Sequence, residues 1–265
     1  MSINLQTLCQ EVRILSKEVG VFIKNERQKF SADNIEVKGK NDFVSYVDKT
    51  SERMLIEKLS LLLPESGFIA EEGTSTKKGG LYNWIIDPLD GTTNFIHGIP
   101  CFAISIALMR NKELVLGVIH EINFDESFYA WEGSKAYLNE KEIHVSKTAS
   151  LADSLLATGF PYYDYHKMEE YLKLFSYFMK NTHGLRRLGS AATDLAYVAC
   201  GRFEGFYEYS LQPWDVAAGA FIVKQAGGKV TDFSGGPDFL FGKEIVAGNS
   251  AFFPEFLDIV KTHFN

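Results

Sequence analysis

The chain has 265 residues, which at roughly 150 per domain is more than one small module. Hydrophobic residues make up 46% and charged residues 23%, enough apolar material for a sizeable core, so disordered and collagen-like chains are excluded. Lys and Arg number 27 against 34 Asp and Glu, a net charge of −7, the wrong balance for a protein that gains affinity by neutralising nucleic-acid phosphates.

Leu5, Leu8, Cys9, Val12, Leu15, Val19, Phe22 and Ile23 recur at three- and four-residue steps and predict an opening helix with one buried face. After a polar stretch from Glu36 to Asn41, Met54, Leu55, Leu59, Leu62 and Leu63 predict a second helix stopped by Pro64. Phe68-Ile69-Ala70 and Trp84-Ile85-Ile86 read as short strands, each ending in an acid, with Gly73 to Gly80 as a polar loop between them. Phe102, Ile104, Ile106 and Leu108 then alternate. Turns at Arg110-Asn111-Lys112 and Asn123-Phe124-Asp125-Glu126 make the segment to Val145 an antiparallel meander. Beyond Ser150, Met168, Tyr171, Leu172, Phe175, Phe178 and Met179 share a helix face, and a second helix runs from about Ser190 to Cys200, closed by Gly201. A third runs from Pro213 to the Gly227-Gly228 pair, followed by strands around Lys229–Asp232 and Glu244–Ala247 and a final amphipathic helix. The order predicts α+β leading into α/β, with helices packed on sheets. With no repeat and no linker, residues 1–265 read as one domain of two lobes, about 1–149 and about 150–265.

Cys9, Cys101 and Cys200 lack the spacing of a disulfide framework or a zinc site. Glu11, Arg13, Lys17 and Glu18 interrupt the first helix, and no stretch approaches the ~20 apolar residues of a membrane span. A cytoplasmic protein without membrane partners is the expectation.

In Ile86-Asp87-Pro88-Leu89-Asp90-Gly91-Thr92-Thr93 an apolar strand runs into an acid, and Pro88 has no N–H with which to continue a ladder, so the strand is expected to end there. Gly91 can take a positive φ, and Thr92 or Thr93 can cap a short helix before Pro100. Two carboxylates thus fall on a rigid turn beside anion-attracting N–H groups. Glu71-Glu72 closes the preceding strand and Asp215 opens the third of the later helices. Each of these acids alone reads as a turn, cap or surface residue. Together they form a set of hard oxygen donors that repel one another without a cation, a pattern that suits Mg²⁺ shared with a phosphate. Phosphate monoesters need up to ~10²¹-fold acceleration, against ~10²–10⁴ from one general acid or base. Metal-activated water is therefore the chemistry that the pattern favours. Leu89 stands where an aspartyl-phosphate phosphatase would carry a second acid, and no Walker A, nucleophile-elbow or cysteine-phosphatase run occurs.

Residues 86–95 (Ile-Asp-Pro-Leu-Asp-Gly-Thr-Thr-Asn-Phe), together with Pro213-Trp214-Asp215-Val216-Ala217-Ala218-Gly219, resemble the inositol monophosphatase family. Glu71-Glu72, Gly189-Ser190-Ala191-Ala192 and Gly227-Gly228 follow in the family's order, so the similarity spans nearly the whole chain. The resemblance implies a layered α-β-α-β-α sandwich and Mg²⁺-dependent phosphate monoester hydrolysis, with Glu71, Asp87, Asp90, Asp215 and the Leu89 carbonyl as metal ligands. It further implies that Glu71, with Thr92 and Asp48, positions the attacking water, and that Gly91, Thr92 and Thr93 cradle the phosphate. Asp90, Gly189, Ser190, Ala191, Glu208 and Asp215 correspond to substrate contacts, and the family implies a homodimer. For Asp48 and Ser190 a helix-cap role is the alternative, and for Glu208 a solvated strand position. Asp42 has a weaker claim than Asp48. Arg186 and Arg187 read as exposed strand-end residues or as contacts to phosphate or a partner subunit, and His97, His120, His144 and His183 read as structural.

The substrate expected is a small polyol phosphate of the inositol monophosphate type. Nucleotide 3′(2′),5′-bisphosphates and fructose 1,6-bisphosphate are alternatives on the same metal core, and a regulatory partner of a transcription complex is the alternative of another class.

Overall fold

Successive residues of a strand face opposite ways, and among the described residues the alternation sorts them into three cores. The computed structural model describes residues 3–29, 35–37, 43–162 and 164–264, with backbone only for 35–37 and 43–45. In chain order the elements are α1 (Leu5–Lys29), β1 (Ile35–Val37), β2 (Phe43–Ser45), α2 (Tyr46–Leu62), β3 (Gly67–Ala70), β4 (Tyr82–Asp90) and α3 (Thr92–His97). The meander follows as β5 (Ala103–Arg110), β6 (Glu113–Glu121), β7 (Glu126–Trp131), β8 (Ala136–Leu138) and β9 (Lys141–Ile143). The remainder comprises β10 (Leu155–Thr158), α4 (Met168–Asn181), β11 (Gly184–Arg186), α5 (Ala191–Ala199), β12 (Gly205–Tyr209), α6 (Pro213–Gln225), β13 (Lys229–Thr231), β14 (Glu244–Gly248) and α7 (Phe253–Phe264).

Strands β3 to β9 form a seven-stranded sheet in sequence order, and β11-β10-β12-β14-β13 form a five-stranded mixed sheet. Trp84, Ile86, Ile104, Ile106, Leu108, Leu116 and Val118 point from the larger sheet to the stripe Leu8, Val12, Val19 and Ile23 of α1 and to Leu55 and Leu59 of α2. Their neighbours Ile85, Ala103, Ala107, Ile119 and Ala130 point the other way, onto α5 and α6. That second face is built of small residues, which lets α6 approach closely. A Cβ on Gly117 would lie 2.8 Å from the Ala218 carbonyl oxygen. The smaller sheet covers the far side of α5 and α6. Its own outer face is closed by α4 and α7 through Tyr171, Leu174, Phe178, Phe256 and Val260. The result is the α-β-α-β-α layering, with α5 and α6 between the two sheets.

Three expectations about local structure are corrected. Strand β4 does not end at Asp87 but runs to Asp90, because a bulge absorbs Pro88: Asp87 pairs with Ser105 and Asp90 with Ala103, so β4 carries one extra residue there. The second helix begins at Tyr46, well before Met54, so Asp48 lies inside its first turn and is not its cap. Helix α3 is capped by neither Thr92 nor Thr93 but by Gly91 in the left-handed region (φ 93°), with no side-chain cap bond. Backbone pairing of β1 with β2 also adds a small antiparallel pair before α2; Asp42 and most of the polar stretch 36–41 lie outside the described residues. All three cysteines are free thiols, and no helix among the described residues is long and apolar enough to cross a membrane.

Candidate active site

The bulge in β4 delivers the acids. Asp87, 2% exposed, accepts the Leu89 N–H on Oδ1 at 2.9 Å, closing a local side-chain turn; the Leu89 carbonyl belongs to the same turn. That carbonyl accepts the Thr92 hydroxyl at 3.0 Å, and Oδ1 of Asp48 lies 3.0 Å from the same hydroxyl. Between them Gly91 must be glycine, since a Cβ there would meet the Cys101 carbonyl at 2.9 Å in addition to its positive φ. On the other side of the cleft, Asp90 Oδ2 accepts the Ser190 hydroxyl at 2.6 Å and the Ala192 N–H at 2.7 Å at the start of α5. Ser190 is also the N-cap of α5, accepting the Thr193 N–H. Asp215, in the first turn of α6, accepts the Gln212 N–H at 2.7 Å in a capping box, so it lies inside the helix and Gln212 is its cap. The Trp214 carbonyl accepts the Ser105 hydroxyl at 3.1 Å, fixing that helix start on β5.

Carboxylate oxygens of Asp87, Asp90 and Asp215 fall within 4.8 Å of one another. They line a cavity of about 690 Å³ together with Glu71, Leu89 and the Gly91–Thr93 turn. Gly189, Ser190, Ala191 and Glu208 line the same cavity. Of the metal-ligand, catalytic and substrate-contact residues that the resemblance implies, Asp48 stays out of the lining; it is buried behind Thr92. Burial raises the carboxyl of Asp87 well above the ordinary range, and the charges of Glu71, Asp90 and Asp215 push it further. Burial likewise raises Asp90 to about 6, opposed by the hydrogen bonds from Ser190 and the start of α5. Such a set stays charged only with a cation among it, and carboxylate and carbonyl oxygens are what a hard divalent ion takes. The residues fit a metal.

Glu208 is not a solvated strand residue. It is buried, its carboxyl is raised by desolvation, and a Cβ on Gly159 would fall on its carboxylate. Arg186 is exposed, whereas Arg187 lines the cavity, donates to the Tyr162 hydroxyl at 3.0 Å and lies 5.3 Å from the Phe160 ring centre. Three cavity features escaped the sequence: Asp194, buried on α5 with a raised carboxyl, Gly159, and the aromatic pair Phe160 and Tyr162 at Arg187. Asp194 carried one signal, since an acid three residues after Ala191 falls in phase with the apolar face of the helix.

The sequence profile of the inositol monophosphatase family matches residues 4–263. The chain belongs to the inositol monophosphatase family. Family membership makes it a phosphoric monoester hydrolase whose substrate is a small phosphate ester. It is 45% identical to the "Putative Nus factor SuhB" of Neisseria meningitidis serogroup B over 84% of this chain and 86% of that one. It is 44% identical to an "Inositol-1-monophosphatase" of Rhizobium meliloti over 81% of each chain. Among solved structures, the extragenic suppressor protein SuhB of Bartonella henselae superposes with a TM-score of 0.91 at 39% identity, covering 96% of this chain and 98% of that one. Inositol monophosphatases are metal-dependent, in keeping with the acid cluster at residues 87, 90 and 215.

Proposed function

We propose that this hydrolase removes the phosphate of a small polyol phosphate of the inositol monophosphate class, with Mg²⁺ held by Glu71, Asp87, Asp90, Asp215 and the Leu89 carbonyl. The observation that carries the reading is one cavity lined both by the acid cluster and by Glu208 with the Gly189–Ala191 turn. The cation, when bound, neutralises the phosphate and lowers the pKa of a water. The chain's own residues do the rest. Glu71 takes the proton of the attacking water, while Thr92, held between Asp48 and the Leu89 carbonyl, orients that water. Backbone N–H groups of the Gly91–Thr93 turn face the phosphate oxygens. Ser190 spends its hydroxyl on Asp90, so it contributes by orienting that carboxylate, and the polyol hydroxyls are left to Glu208 and to the backbone of Gly189 and Ala191. The whole chain acts as one domain of two lobes, since the acids come from both, and the reading includes a cytoplasmic homodimer.

The test is a panel of polyol, sugar and nucleotide phosphates at saturating Mg²⁺. Hydrolysis of inositol monophosphates is the expected result, and turnover confined to nucleotide 3′(2′),5′-bisphosphates or to fructose 1,6-bisphosphate overturns the substrate class.

The name borne by the Neisseria relative favours a second reading, a partner of the transcription machinery. Asp90→Asn separates the two in cells: it abolishes a role that needs hydrolysis and spares one that needs only the surface.

A further inference from the structure

Glu52 belongs to no part of the site described so far, yet its side chain is fully buried on α2. Burying a carboxylate costs several kcal/mol unless its oxygens are filled with donors. All three donors recorded on it come from a single turn. Oε2 accepts the Glu72 N–H at 2.7 Å, and Oε1 accepts the Thr74 N–H and the Thr74 hydroxyl, each at 2.7 Å. That turn follows β3 and carries Glu71. Packing does not hold it, because Gly73 and Thr74 are exposed and a Cβ on Gly73 would meet nothing within 4 Å. Upstream, the Glu71 N–H is fixed to the Ile86 carbonyl of β4 at 3.2 Å. Glu71 is therefore clamped from two sides, by β4 at its own N–H and by Glu52 at the next peptide.

We infer that Glu52 is a positioning residue for the hydrolytic reaction, setting the place of Glu71 by binding the backbone of the turn that follows it. The inference rests on the role proposed for Glu71. Its second support is spacing: Asp48 and Glu52 are four residues apart on α2 and share a helix face. Asp48 meets Thr92 and Glu52 meets the Glu71 turn. One turn of one helix thus spaces the two groups assigned to the water, and a misplacement of ~1 Å at such a site can cost ~10²-fold in rate.

Glu52→Gln keeps the shape but puts an NH₂ against one of the donors. Thr74→Val removes one donor from an exposed side chain and leaves the core untouched. The expected result is a kcat about 10- to 100-fold lower for Glu52→Gln and about 3-fold lower for Thr74→Val, with KM for the phosphate ester within about 3-fold. Calorimetry with Mg²⁺ alone should show about 5-fold weaker binding for Glu52→Gln, in line with a displaced ligand. The deciding comparison is on the Glu71→Gln background. If Glu52 works through Glu71, adding either substitution to Glu71→Gln lowers kcat by less than about 2-fold. Wild-type kcat and Mg²⁺ affinity in both single variants, or losses that multiply on the Glu71→Gln background, overturn the inference. Should Glu52→Gln not fold, Thr74→Val and its double variant decide alone. Wild-type turnover in Glu71→Gln itself overturns the proposed role of Glu71, an outcome separate from failure at Glu52.

Discussion

The hydroxyl of Ser190, at the start of α5, donates to the carboxylate of Asp90, at the end of β4, at 2.6 Å across 100 residues of sequence. One bond therefore joins the larger sheet to the helix layer behind the cavity, and Ser190 also caps α5. Ser190→Ala is expected to cost about 1–2 kcal/mol of stability, from a lost cap and a lost bond to a charged group. It should also lower kcat/KM with a smaller effect on KM. Urea midpoints and steady-state kinetics on one preparation check both.

Asp90→Asn and Asp215→Asn should each abolish Mg²⁺-dependent hydrolysis, because each removes a charge from the cluster within 4.8 Å. A thermal melt provides a readout without turnover. A ligand that binds only the folded state at about 100 times its Kd stabilises it by about 2.7 kcal/mol. Mg²⁺ should therefore raise the wild-type Tm and a chelator reverse the rise, while the two variants stay flat. Retention of the shift in both variants contradicts their place in the metal set.

Gly159→Ala tests the polyol end of the cavity. A Cβ at this position occupies the space of the Glu208 carboxylate, so the acid must move. KM for an inositol phosphate should rise about 10-fold, in the range expected for losing one hydrogen bond to a charged group, while an aryl phosphate lacking hydroxyls should be cleaved as by the wild type. Equal effects on both substrates would place Glu208 outside polyol recognition.

His120 gives a pH dependence. It is 4% exposed beneath α1, where a Cβ on Gly20 would lie 2.8 Å from its ring. Burial, with Lys17 and Lys24 adding to it and Asp125 and a backbone hydrogen bond at Glu126 opposing it, brings its pKa from 6.5 to about 4. With the folded value below the unfolded one, the unfolded chain takes the proton first as pH falls. The contribution is whole above about 6.5 and is lost progressively toward 4, by at most about 3 kcal/mol. Denaturant unfolding at pH 7 and pH 4.5 should show this loss, and His120→Gln should flatten it.

The acids of the site were legible because each stands within two residues of a Pro or Gly that marks a turn, bulge or helix start: Asp87 before Pro88, Asp90 before Gly91, Asp215 two after Pro213. The helices and the α+β-into-α/β order were legible from periodicity and the meander from its turn residues, whereas the five-layer stacking came from the family resemblance. Glu52 and Asp194 were not, because an acid on a helix is ordinarily on the wet face. Only the phase gives them away: Asp48 and Glu52 continue the buried stripe Val47, Ser51, Leu55 and Leu59. Arg187 looked like its exposed neighbour Arg186, since nothing local marks that Tyr162 and Phe160 fold back over it. The continuation of β4 past Pro88 was missed because a bulge depends on the partner strand β5, which local pattern does not describe.

The acid cluster draws on β4 and on α6, and Asp90 is tied to α5. A ribosome delivers these parts in order, N-terminal first. Until Asp215 has emerged and α6 has docked, the growing polypeptide presents Asp87 and Asp90 without their third member. On the metal role proposed for Asp215, hydrolytic competence should be acquired late in translation, and an enzymatic assay on stalled, truncated products would time the closing of the cleft.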